Sequence, residues 1–428
     1  MKQNIILTKK SRSVTGTVQL TGSKSECNRA LVIEALSGGT VKVENVSDAA
    51  DTVTLLEVLS PKSKVLSQHE DSGLKTQDLR LVNIGPAGTA MRFLTAYFTL
   101  LQDGEVILTG SERMKQRPIG ILVNALREIG ADIEYAENDG FPPLRIKGGF
   151  EQKTDTISIK GDISSQYITA LLLIASQLPQ GLTLQIEGEL TSRPYVEMTL
   201  AMLQQAGIQH QWDGNSIHIA KQEFNETTLY VEPDWSAASY WYAIAALADE
   251  AELFLPGLTA YSLQGDSVIT EIMANFGVTS QFKDGGVYLK KEAKPLSRKI
   301  FDMKSCPDLA QTVIVVCAAL GHDATFTGLE TLKIKETDRI AALQNELAKI
   351  SVKLIEKGQV YKLDCSEKHI PGKILIDTYD DHRMAMAFAP LALVVPEVEV
   401  EDYMVVEKSY PAFWEDLKKV GFEVKGER

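Results

Sequence analysis

Hydrophobic and polar positions follow one pattern that recurs along the chain. The stretch that begins at Thr17 reads TVQLTGSKSECNRALVIEAL. Its pattern predicts a strand over residues 17–21, a polar turn at Gly22-Ser23-Lys24, and an apolar helix with Ser25 as N-cap. Gly38-Gly39 are placed to stop that helix. Similar text recurs as LVNIGPAGTAMRFLTAYFTLL from Leu81, ISIKGDISSQYITALLLIAS from Ile157 and LYVEPDWSAASYWYAIAAL from Leu229. It returns as FDMKSCPDLAQTVIVVCAAL from Phe301 and ILIDTYDDHRMAMAFAPLAL from Ile374. The helix starts fall roughly 65 to 75 residues apart, the mark of a repeated supersecondary unit. A second signature follows most copies: an amphipathic helix ending in Gly, then a strand, as in LVNALREIG-ADIEY, MTLAMLQQAG-IQH, ITEIMANFG-VTS and FWEDLKKVG-FEV. ELAKI-SVKL lacks the glycine, and LLEVLSPK in the first copy is degenerate. A helix apolar nearly all round, such as residues 168–175, is predicted to be buried. Six such helices predict an α/β protein in which sheet wraps around helix.

A chain of 428 residues exceeds one ordinary core and predicts two domains. The formal net charge of −13 argues against nucleic acid or an anionic membrane as main partner. Four cysteines without a CxxC pair fit reduced thiols in the cytosol. MKQNIILTKK is too short an apolar run for a signal peptide, and no run reaches membrane-spanning length, so a cytoplasmic location is expected.

The acidic total hides a local contrast. The turns that open helices carry Lys24, Arg29, Arg92, Arg117, Arg193, Lys335, Arg339, Arg383 and Lys408. Cations at helix N-termini oppose the helix dipole and cost stability. A fold that repeats this arrangement is expected to meet an anion there. Lys24, Ser25 and Arg29, one helical turn apart, suit a phosphate or carboxylate. Gly85-Pro86-Ala87-Gly88-Thr89 lets backbone N–H groups approach an anion. Arg113, Lys115 and Arg117, read as extended chain, would share one side before Pro118 begins a helix. Ser164, Ser165 and Gln166 offer neutral donors at the third helix start, and Ser192-Arg193-Pro194-Tyr195 opens the next helix. Asp234 and the Gln264-Gly265-Asp266 turn read as structural caps. Carboxylates and cations mix at Asp308, at Lys335-Glu336-Thr337-Asp338-Arg339, at Asp381-His382-Arg383 and at Lys408. Competition between burial and nearby cations tunes general acids and bases. A cap is the plainer reading for Asp308 or Glu336 taken alone. No histidine or cysteine spacing fits a metal, and GxGxxG and GxxxxGK[ST] are both absent.

GSKSECNRAL, GPAGTAMR, RMKQRPIG, SSQYITALL, SRPYVEMTL, LQGD, IKETDRI, DDHRMAMA and EKSYP stand in the order found in the 5-enolpyruvylshikimate 3-phosphate synthase family, which nearly the whole chain resembles. The resemblance implies a two-domain inside-out α/β barrel of six βαβαββ units, three per domain. It implies one discontinuous domain, 1–18 with 229–428, and a second, 19–228. It also implies transfer of the enolpyruvyl group of phosphoenolpyruvate to the 5-hydroxyl of shikimate 3-phosphate. Phosphate is released through a tetrahedral intermediate, without cofactor or metal, and a monomer is expected. Carried over by motif, Lys24, Gly88, Arg117, Gln166, Arg339, Arg383 and Lys408 contact phosphoenolpyruvate. Lys24, Ser25, Arg29, Ser164, Ser165, Gln166, Ser192, Tyr195, Asp308 and Lys335 contact shikimate 3-phosphate. Asp308 takes the hydroxyl proton and Glu336 serves the methylene carbon; Lys24 and Lys408 stabilise charge and His382 supports Glu336. Because these residues come from both domains, the resemblance implies closure on binding.

The chain departs from the family pattern at Pro86, where Asn is usual, at Phe93, where Pro is usual, and at Thr331, where Asn precedes KETDR. The first two predict weaker glyphosate binding. UDP-N-acetylglucosamine enolpyruvyl transferases lack KETDR and DHRMAM and carry a reactive loop cysteine, a context that neither Cys27 nor Cys306 has. RNA-end cyclases need a basic groove and a nucleotide-binding histidine. A non-catalytic anion-binding relative would be expected to lose Glu336, Asp308 or Lys24, and all three are present.

Overall fold

The computed structural model describes residues 3–60, 79–162 and 164–426. The chain divides into two compact units, Met1–Ser23 with Glu232–Arg428, and Lys24–Val231. The divisions fall after Ser23 and Val231 rather than after residues 18 and 228.

Each unit is built around three buried helices that touch one another. In the unit Lys24–Val231 they are Lys24–Leu36, Gly88–Thr99 and Ser165–Ala175. In the other they are Trp235–Leu247, Ala310–Leu320 and His382–Phe388. Ser165–Ala175, Trp235–Leu247 and Ala310–Leu320 have apolar or small residues on nearly every face, so burial on all sides is what stabilises them, whereas Lys24–Leu36 also buries Glu26, Asn28 and Arg29. Residues 168–175 are buried throughout, as their composition predicts. Four-stranded sheets flank them, and strands such as Thr156–Lys160 alternate exposed and buried residues, one face to the helices and one to solvent.

The four-stranded sheets share one plan. Thr156–Lys160 pairs in parallel with Leu182–Glu187, and two antiparallel strands follow, Ser216–Ile219 and Gln211–Asp213. The sheets led by Leu79–Asn83 and by Ile300–Asp302 repeat it. Two strands depart from sequence order. Ser13–Thr17, which leads to the first buried helix, pairs in parallel with Glu250–Pro256 of the fourth repeat. Thr227–Tyr230, which leads to the fourth buried helix, pairs in parallel with Val41–Glu44 of the first. The N-terminal strand Ile5–Thr8 completes the last sheet between Glu397–Val400 and Glu423–Gly426.

Local expectations are corrected in four places. The first strand spans Ser13–Thr17, not 17–21, because it follows the edge of the fourth repeat's sheet and leaves it before Thr21. The helix starts at Lys24, so Ser25 sits in its first turn and not at the N-cap. Glu112–Lys115 is a short helix capped by Ser111, so the three cations do not line one extended face: Arg113 is exposed, Lys115 pairs with Glu112 and Glu137, and Arg117 is buried. The following helix starts at Gly120, two residues beyond Pro118.

The glycine stops behave as expected, with Gly130, Gly207, Gly277 and Gly421 all at positive φ. In the copy that lacks glycine, Ser351 takes the left-handed conformation at φ 57°, and Val352 N still donates to Leu347 O at 3.1 Å.

Candidate active site

In the discontinuous unit the charged helix starts converge. Asp338 caps the helix Arg339–Ala348 by accepting from the backbone N–H groups of Ile340 and Ala341, each at 3.1 Å. That cap fixes Arg339 at the first helical position, where the residue is 1 % exposed. Arg339 gathers three carboxylates: Nε donates to Asp381 Oδ2 at 2.7 Å, Nη2 to Glu336 Oε2 at 2.9 Å and Nη1 to Asp308 Oδ1 at 3.3 Å. Lys408 Nζ donates to Glu336 Oε1 at 3.1 Å. Arg383 Nη2 donates to Asp308 Oδ2 at 3.0 Å, and Lys335 Nζ lies 3.8 Å from Asp308 Oδ1. Arg339, Arg383, Lys335 and Lys408 therefore face Asp308, Glu336 and Asp381, which leaves the cluster net positive and suited to an anion.

Neither Asp308 nor Glu336 is a helix cap; both are aimed at cations. Burial pushes the Asp308 carboxyl up, but Arg383, Lys335 and Arg339 outweigh it and hold the group well below the usual carboxylate range. Burial alone would weaken the Arg339 charge, and Asp381, Glu336 and Asp308 more than restore it. His382, 1 % exposed, places Nδ1 3.7 Å from Asp381 Oδ1.

The unit Lys24–Val231 carries the other candidates. Lys24 Nζ pairs with buried Asp51 at 3.2 Å. Arg29 is interior: its guanidinium donates to Thr199 Oγ1 at 2.8 Å, Ser25 O at 2.7 Å, Thr169 Oγ1 and Tyr195 O at 3.3 Å each. Burial, the leading influence, lowers the Arg29 pKa to about 10. Phe93 and Tyr195 rings flank it at 5.6 and 5.8 Å. Gly88 opens the helix Gly88–Thr99 against Arg117, and a Cβ there would meet Arg117 Nη1 at 2.6 Å. Arg92 is a strut that donates to Gly88 O and to Pro118 O, both at 3.1 Å, so it ties the Gly88 turn to the segment that follows Arg117. Ser164 Oγ caps Gln166 N at 3.4 Å, and Gln166 Nε2 donates to Thr89 Oγ1 at 3.1 Å. Ser165 is buried, and Ser192 is held at φ 53° ahead of the helix Arg193–Gln205. Arg193 leaves the set of anion-facing cations: it is exposed, bonded to Glu197 at 2.7 Å and stacked over Trp212.

Several participants were not singled out by motif. Asp51 and Ser236 lie in stretches with no charged signature. Asp266 reads as a cap, yet it bonds the Ser236 hydroxyl instead, whereas Asp234 does cap, accepting from Ala237 N at 3.0 Å. Among the described residues no cluster of His, Cys, Asp and Glu is arranged to hold a metal ion, and no helix is long and apolar enough to cross a membrane.

The family model for EPSP synthase (3-phosphoshikimate 1-carboxyvinyltransferase) matches residues 8–417. The chain belongs to the EPSP synthase family. A 3-phosphoshikimate 1-carboxyvinyltransferase of Bacteroides fragilis (strain YCH46) is 45% identical over 414 residues, 96% of this chain and 97% of that protein. One from Sodalis glossinidius (strain morsitans) is 35% identical over 423 residues, 94% of each. Among solved structures, an EPSP synthase from Acinetobacter baumannii superposes with a TM-score of 0.75 at 20% identity, covering 100% of both chains. The fold is therefore that of EPSP synthases, an α/β fold of repeated units with the helices inside.

Proposed function

We propose that this EPSP synthase family member transfers the enolpyruvyl group of phosphoenolpyruvate to the 5-hydroxyl of shikimate 3-phosphate and releases phosphate. The observation that carries the roles is the buried Arg339 guanidinium holding Asp308, Glu336 and Asp381 under a net positive cluster. In the addition step Glu336, in its protonated form, delivers its proton to the methylene carbon of phosphoenolpyruvate, the 5-oxygen bonds to C2, and Asp308 receives the hydroxyl proton. In the elimination step the C2–O bond to phosphate breaks, Glu336 recovers a proton from the methyl carbon, and the proton held by Asp308 leaves with the phosphate. Lys408, already on Glu336, and Lys24 balance the charge that develops. Losing one preorganised group of this kind costs about 3 kcal/mol of barrier, roughly a hundredfold.

The base is tuned by its substrate. In the free protein three cations hold Asp308 ionised and weakly basic. A phosphate or carboxylate that takes hydrogen bonds from Arg383 and Lys335 weakens their hold and raises the basicity of Asp308 when the hydroxyl must be deprotonated. On this reading Arg339, Arg383, Lys408, Lys24, Gly88, Arg117 and Gln166 meet phosphoenolpyruvate. Lys24, Gln166, Ser25, Ser164, Ser165, Ser192, Tyr195, Asp308 and Lys335 meet shikimate 3-phosphate. Arg29 acts from inside, holding Ser25 and Tyr195 by their carbonyls. Phe93 packs on Arg29, its ring centroid 5.6 Å from the guanidinium. The reading needs no cofactor and places a monomer in the cytoplasm, in keeping with four free, buried cysteines.

Phosphate release tests it. Release from phosphoenolpyruvate with shikimate 3-phosphate, and none with UDP-N-acetylglucosamine, is the expected result; the reverse overturns the acceptor, and silence with both overturns the reaction.

A further inference from the structure

The short turn Gly265–Val268 brings a carboxyl, Asp266, into the interior of the discontinuous unit, where it is 4 % exposed and forms no ion pair among the described residues. Ser236, in the first turn of the helix Trp235–Leu247, donates its hydroxyl to Asp266 Oδ2, while Oδ1 is buried without a hydrogen-bond partner. The same Ser236 oxygen accepts from Arg383 Nη2 at 3.4 Å, and that nitrogen donates to Asp308 Oδ2 at 3.0 Å. One hydroxyl thus joins an isolated buried carboxyl to the guanidinium and carboxylate of the proposed site. A second carboxylate this close to Arg383 is costly to ionise, because Asp308 already holds that charge.

The charged and titratable groups around Asp266 are the Asp308 and Asp234 carboxylates, the Arg383 guanidinium and the Cys306 thiol. Burial leads, followed by Asp308; with Asp234 they outweigh Arg383 and Ser236 and push the Asp266 carboxyl up to about 7. The same burial drives the Cys306 thiol up to about 12, so it stays neutral beside Asp266.

We propose that Asp266 is a positioning residue for the transfer reaction: as a neutral carboxyl it holds Ser236 against Arg383, and as a carboxylate it competes with the incoming anion for the Arg383 charge. The inference rests on Arg383 being a phosphoenolpyruvate contact. It makes anion affinity fall as pH rises through neutrality, by a group that touches neither substrate.

Asp266→Asn keeps the shape and removes the ionisation. The expected result is a kcat within about threefold of the parent, and a KM for phosphoenolpyruvate that climbs less between about pH 6 and 8 than the parent's, by roughly threefold or more. The variant should also melt higher than the parent above pH 7, the gap closing toward pH 4, because a carboxyl with a raised folded-state pKa withdraws stability as pH rises. Parallel KM profiles, or a kcat loss of about a hundredfold with the fold intact, overturn the proposal. If the variant does not fold, carbon-13 NMR of aspartate-labelled parent decides: an aspartate carboxyl titrating near neutral pH in the free protein supports it, and none titrating above about pH 6 overturns it. Neither the NMR titration nor the melting comparison depends on the acceptor, so a wrong acceptor does not mimic failure here.

Discussion

Arg339 Nε and Asp381 Oδ2 lie 2.7 Å apart across 42 residues of sequence, and both side chains are buried, Asp381 at 0 % and Arg339 at 1 % exposure. Asp381 also accepts from Arg383 N at 2.8 Å, so one carboxylate orients the helix that carries Arg339 and the helix that carries Arg383. Asp381→Asn should cost about 3 kcal/mol of stability, since it takes from a buried guanidinium the nearest of its three carboxylates. Denaturant unfolding reads the loss, and kcat should fall with it because Glu336 and Asp308 lose their common anchor.

Glu336→Gln and Asp308→Asn should each lower kcat by about a hundredfold or more, with a smaller change in the KM for phosphoenolpyruvate. The two effects should not add, because both groups share Arg339. Steady-state kinetics of the single and double variants checks this.

Gly88→Ala places a methyl within 2.6 Å of Arg117 Nη1. The guanidinium has to give way, so the KM for phosphoenolpyruvate should rise about tenfold, with kcat and Tm changed much less. A Gly88→Ala enzyme with the parent's KM would remove Arg117 from the proposed binding set.

Asp308 should make stability depend on acid. Its folded-state pKa is depressed, so its contribution is present above its unfolded pKa of about 3.9 and is lost as pH falls below that. The gap in Tm between parent and Asp308→Asn should therefore be largest near neutral pH and shrink below about pH 4.

Ser351 holds a left-handed position that glycine occupies in the sister repeats. Ser351→Gly should stabilise the protein by about 0.5–1 kcal/mol, the left-handed cost outweighing the entropy glycine loses on folding. Chemical denaturation measures it, and catalysis should be unchanged.

Glyphosate inhibition tests the two departures near the Gly88 turn. Pro86→Asn with Phe93→Pro should tighten inhibition; an unchanged inhibition constant would remove both residues from the explanation.

The sequence by itself determined the six strand–turn–helix copies, the burial of helices such as Ser165–Ala175, and the concentration of cations at helix starts. These are local properties: periodicity, caps and composition act within one element, so they are legible without a fold. The tertiary structure alone decided where the leading strands go. Ser13–Thr17 and Thr227–Tyr230 exchange repeats because main-chain ladder bonds are the same in either sheet, and the alternating pattern carries no label for its partner. It also sorted the cations. Arg193 and Lys24 both open helices in the sequence, yet one is exposed over Trp212 and the other meets buried Asp51. Asp266 was legible as a turn residue; its place beside Ser236 and Arg383 depends on three elements far apart in sequence, a proximity that packing creates.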